Sequence, residues 1–87
     1  MLIAEVCGHV VATAKHAALN GSKMLLVRPL IAGRPGGEMM AVDCVGAGEG
    51  ERVLVVVEGR SATEAFGRPQ APLDAAIVGI VDRIDLL

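Results

Sequence analysis

The sequence contains no tryptophan and no tyrosine, and Phe66 is its only aromatic residue. Grooves that hold single-stranded nucleic acid stack bases on rows of aromatics set in basic surroundings. This chain has neither feature: its net charge is −2, and its two lysines and six arginines stand singly between Lys15 and Arg83. Nucleic acid is therefore not an expected partner, and no basic cluster marks a phosphate or membrane-surface footprint. Long apolar runs are absent as well. The strongest, Val53 to Val57, is five residues long, far short of the ~20 needed for a spanning helix. The opening Met1-Leu2-Ile3-Ala4-Glu5 carries no basic leader and reaches an acid at its fifth position, which predicts a cytoplasmic protein. Cys7 and Cys44 stand far apart without CxxC or Cys/His spacing. They are expected to be small apolar residues with free thiols, and not metal or redox groups.

Catalytic arrangements are equally scarce. A nucleophile needs a base beside it, and His9 and His16 are the only histidines. His9 alternates with Glu5 and Thr13 along one strand face and reads as a solvated or interface residue. His16 begins a turn. Asp74 and Asp82 bracket the last apolar segment, where paired carboxylates could do acid/base work or hold a cation. The structural reading of each is stronger: Asp74 as acceptor for the amides of its own turn, Asp82 as a strand end beside Arg83. Gly46-Ala47-Gly48-Glu49-Gly50 superficially resembles a phosphate-binding loop, yet no Lys, Ser or Thr follows it and what comes next is a strand. A hairpin requiring positive φ explains these glycines better. No cofactor, metal or catalytic site is expected.

What the sequence has in quantity is small aliphatic side chains. Apolar residues make up 53% of 87 residues and glycine adds 11 more, roughly two thirds of the chain against a usual ~45–50%. A domain of this size buries only about 60–65% of its unfolded surface. Part of the apolar excess is therefore expected at contacts with other subunits. The pattern is that of short strands separated by glycine-bearing turns. Strands are predicted at Leu2–Ala14, Lys23–Leu30, Glu38–Val45, Arg52–Val57 and Ala75–Val81. The second follows the Asn20-Gly21 turn and pairs antiparallel with the first. Gly8 in mid-strand predicts a bend or a close backbone approach, and Gly79 predicts the close approach of another backbone or side chain. The run at Arg52–Val57 predicts burial on both faces, by the core on one side and by a helix or a neighbouring subunit on the other, and residues 31–37 form an exposed connection. Ser61-Ala62-Thr63-Glu64 has the form of a capping box, predicting one or two helical turns that end by Gly67. The expected fold is mostly β: a small five-stranded OB-like barrel, one domain over residues 1–87, with one short helix between the fourth and fifth strands.

Four segments in order carry a resemblance. Val6-Cys7-Gly8-His9-Val10-Val11-Ala12-Thr13-Ala14-Lys15 resembles the opening "V-x-G-x-V-V-A-T-x-K" of the EutN/CcmL family of microcompartment vertex proteins. Leu25-Leu26-Val27 resembles its second strand. Ala41 to Gly50 is similar to "A-x-D-x-V-G-A-G-x-G", with Val53-Leu54-Val55-Val56 following, and Pro72 to Asp82 matches "P-x-D-A-A-I-V-G-I-V-D" at every stated position. The chain departs at Gly59-Arg60-Ser61-Ala62-Thr63, where the family has a Gly-Ser-Ser-Ala-Arg-like stretch, and it stops at Leu87 where many members continue. The resemblance implies a structural shell protein and not an enzyme: a homopentamer that caps the vertices of a polyhedral microcompartment shell, alongside hexameric and trimeric shell proteins. It places structural or assembly roles on Gly8, Lys15, Asp43, Gly46, Gly48, Asp74, Gly79 and Asp82. The segment Lys15 to Gly21 looks closer to the catabolic, aldehyde-processing compartments than to carboxysomes. A carboxysome vertex protein is the alternative. The rival outside the family, an OB-type binding module, lacks its aromatic, basic face.

Overall fold

The computed structural model describes residues 1–11, 23–31, 34–57 and 75–85. The strands are β1 (Leu2–Val10), β2 (Met24–Ile31), β3 (Arg34–Pro35), β4 (Met39–Asp43), β5 (Arg52–Val56) and β6 (Ala76–Ile80). All five predicted strands are present, the first shorter than expected within the described residues. The connection at 31–37 holds the two-residue β3, which pairs Leu30 with Pro35 and Ile31 with Arg34.

Hydrogen bonding runs β1-β5-β6-β4-β2-β3, and β1 also pairs with β2. That last pairing closes five of the strands into a barrel, which removes the exposed sheet edges a small β protein must otherwise protect. All pairings are antiparallel except β4 with β6, where Val42 lies beside Ala76 and Asp43 beside Ile77. The predicted fold class is thus the observed one. The predicted helix at Ser61–Gly67 lies outside the described residues.

The barrel interior is filled by Ala4, Val6, Leu25, Val27, Ala41, Ala47, Val53, Val55, Ala75 and Ile77, with Leu2 and Met39 packed against them. None is larger than leucine or isoleucine, as a narrow closed barrel requires. Alternation fixes the register, because slipping one residue would turn every such side chain outward. In β5, Val53 and Val55 are buried while Leu54 and Val56 are only half-buried. The core thus covers one face of this strand as expected, and the other, expected against a helix or a neighbouring subunit, is half-buried aliphatic surface within the single chain.

Two irregularities bend the sheet. Between β1 and β2, Val6 lies opposite Val27 but Gly8 opposite Leu26, leaving Cys7 as the extra residue of a bulge. Between β5 and β6, Leu54 lies opposite Gly79 and Val55 opposite Ile77. The bend predicted at Gly8 thus coincides with a bulge, the device that lets a barrel turn its corners, and a second bulge lies beside Gly79. Pro29 sits inside β2, opposite Ala4. It falls between the part of β2 paired to β4, Met24 to Val27, and the part paired to β3, where its missing N–H breaks no ladder on that side.

Candidate functional site

The densest polar construction among the described residues is the turn from β4 into β5, and it begins at Asp43. The Asp43 side chain is only 2% exposed. Its Oδ1 accepts the N–H groups of Val45 and Gly46 at 3.0 and 3.1 Å, and its Oδ2 accepts that of Ala47 at 3.0 Å. Lys23, at the entry to β2, lies with Nζ 3.4 Å from Asp43 Oδ2 and donates to the Ala47 carbonyl at 2.8 Å. A carboxylate taken out of water is tolerable only when its lone pairs are met by donors and its charge by a cation, and here both conditions hold. At the far side of the turn Glu51 Oε1 accepts the Gly48 N–H at 2.6 Å.

The turn is tied to β1 as well. Gly50 N–H donates to the Val6 carbonyl at 2.8 Å and Val6 N–H to the Glu51 carbonyl at 2.9 Å. His9 Nδ1 lies 3.2 Å from Glu49 Oε1, with both side chains largely exposed. Gly46 and Gly50 have φ of 78° and 84°, the left-handed region that disfavours any Cβ. Gly48 does not, so the positive-φ explanation holds for two of the three glycines. A Cβ on Gly48 would stand 3.4 Å from Glu51 Oε1, and room beside that carboxylate is its constraint.

The amides that make the segment look like an anion-binding loop thus already carry the chain's own carboxylates. Asp43, Gly46 and Gly48 are brought together, with Gly8 close by on β1. Gly79 stands apart on β6. Asp82 lies beyond the end of β6 and is exposed, and Arg83 pairs with Asp85 at 3.0 Å instead of with Asp82. Lys15 and Asp74 lie outside the described residues. Lys23 and Glu51 were not singled out by the sequence. Glu51 follows Gly48 by three residues and so had a local signal, whereas Lys23 reaches its partners only through the pairing of β2 with β4.

The close approach expected at Gly79 is not found among the described residues, where a Cβ would meet Leu54 Cβ at 3.7 Å. At Gly8 it would meet Leu26 Cβ at 3.8 Å. Both are ordinary contact distances. Both thiols are free. Cys7 Sγ donates to the Leu26 carbonyl at 3.4 Å, and burial, then the Asp43 charge, push the Cys44 thiol above its usual range. Among the described residues no group of three His, Cys, Asp or Glu side chains could hold a metal ion, and no helix is long and apolar enough to cross a membrane.

The family model described as "Ethanolamine utilisation protein EutN/carboxysome" matches residues 1–82. The shell vertex protein PduN of Salmonella typhimurium is 46% identical, over 97% of this chain and 98% of its own length. The carboxysome shell vertex protein CcmL of Synechocystis is 43% identical, over 99% and 87%. The solved structure of GrpN, a pentameric microcompartment shell protein from Rhodospirillum rubrum, superposes with a TM-score of 0.85 at 40% identity, covering 100% of this chain and 99% of GrpN. Family match, full-length similarity and superposition agree, and the chain belongs to the EutN/CcmL family.

Proposed function

We propose that this chain forms a homopentamer that caps the vertices of a bacterial microcompartment shell in the cytoplasm, contacting hexameric and trimeric shell proteins at its rim. The observation that carries this reading is the end-to-end similarity to a pentameric shell protein, with neither chain left over. The excess of small apolar residues supports it, since a ring of copies gives that surface a place to go. The role is structural and the enclosed enzymes do the chemistry. A flat sheet of hexagonal tiles cannot close, and a five-fold tile at each corner supplies the missing angle.

Relatives from both kinds of compartment are similar to nearly the same degree, 46% for PduN and 43% for CcmL. The segment Lys15 to Gly21 supports the catabolic kind, and the genes beside this one test that directly. Native mass spectrometry of the purified chain tests the ring: a pentamer is expected, and a stable monomer or hexamer overturns the reading.

A further inference from the structure

Gly8 and Gly79 both sit inside strands and face away from the core, opposite the outward Leu26 and Leu54. Neither has a left-handed φ, and among the described residues neither lacks room for a Cβ. A glycine in a strand weakens it, and close approach of something else is the usual compensation. The register places the two in separate apolar rows on the barrel's outer surface. Gly8, Leu26 and Met40 lie side by side across β1, β2 and β4, and Met40 stands out at 55% exposure. Ile3, Leu54 and Gly79 lie side by side across β1, β5 and β6. Between the rows on β1 runs a charged one, with Glu5 opposite Arg28 on one side and Arg52 on the other.

We propose that the occupant of both rows is a second copy of this chain, with Met40 of one copy seated over Gly79, between Ile3 and Leu54, of the next. The inference rests on the pentamer reading and names its joint. A cyclic ring needs two different, complementary patches facing different ways, whereas a two-fold contact needs one self-complementary patch. β2 and β5 flank β1 on opposite sides, so rows centred on them point in different directions. One row offers a knob and the other a floor without a Cβ. Methionine, unbranched and flexible, suits an irregular shallow seat.

The test uses the full chain with Met40→Glu and Gly79→Leu, singly and mixed, read by native mass spectrometry, with circular dichroism confirming the fold. Each variant alone should lose the pentamer. Mixed, they should give a one-to-one dimer and nothing larger, because the glutamate variant keeps an intact seat and the leucine variant an intact knob. Should Gly79→Leu fail to fold, Ile3→Lys takes its place at the seat. A parent that is not pentameric removes the proposed function itself. A pentameric parent whose variants stay pentameric, or whose mixture yields no dimer, overturns this joint alone.

Discussion

Asp43 shows how one side chain can organise a turn. Its carboxylate accepts three consecutive backbone amides and faces the Lys23 ammonium. Asp43→Ala leaves those amides without their acceptor and should cost about 2–3 kcal/mol, in the range of hydrogen bonds to a charged group. Urea unfolding compared with the parent measures it, and a loss within experimental scatter would show that water replaces the carboxylate freely. The neighbouring Cys44 has a thiol pushed up by burial and by Asp43. Its sign follows directly: the folded protein holds this proton more tightly than the unfolded chain does. Stability is unaffected below the ordinary cysteine range and falls as pH rises through it. Cys44 should accordingly react with iodoacetamide more slowly than a free cysteine peptide at mildly alkaline pH, and Asp43→Asn should speed the reaction. Equal rates for parent and variant would remove Asp43 as a cause.

At the scale of elements, the turn joining β4 to β5 separates glycines that look alike in sequence. Gly46 and Gly50 have positive φ and open space around them, whereas Gly48 has ordinary φ and a carboxylate neighbour. Gly46→Ala and Gly50→Ala should each cost about 1–2 kcal/mol from backbone strain. Gly48→Ala should cost less than either, since Glu51 lies on a side chain that can shift. Thermal unfolding of the three variants ranks them, and Gly48→Ala as the worst of the set would contradict the assignment. The same logic separates the strand glycines from the turn glycines: a Cβ on Gly8 or Gly79 meets ordinary contact distances among the described residues, so the proposed joint places the effect of Gly8→Ala and Gly79→Ala on assembly.

For the molecule as a whole, closing five strands into a barrel leaves the outer surface as the place where other copies and other shell proteins can attach. That surface carries mostly aliphatic side chains, and the sequence has no Trp or Tyr to serve as a large aromatic anchor. Broad, shallow matching over a fixed shape is what such a surface supplies. A strain lacking this gene, and any paralogue, should still make hexameric facets and enclose its enzymes. Its shells should be elongated or open at their corners and should leak their intermediate into the medium. Electron microscopy and assay of the medium read both effects, and regular, sealed shells in that strain would refute the vertex role.

The strand positions, the turn at Gly46 to Gly50 and the family were all legible in the sequence, because alternation, glycine spacing and motif order are local properties. Asp43 was marked only through the family motif, although its three amide partners, two to four residues on, gave a local signal. Closure was different in kind. The pairing of β1 with β2 joins strands consecutive in the chain, but the parallel pairing of β4 with β6 joins distant segments, and the ring closes only when both are made. The register of β5 against β1 and β6 also decided which aliphatics of Arg52–Val57 are inside, a question composition cannot answer when both faces carry the same residue types. The Lys23 contact with Asp43 likewise exists only once β2 lies against β4. The rows that put Met40 beside Leu26, and Gly79 beside Leu54 and Ile3, appear only with the cross-strand register. A chain encodes its alternation residue by residue, but which strands become neighbours is settled by the fold as a whole.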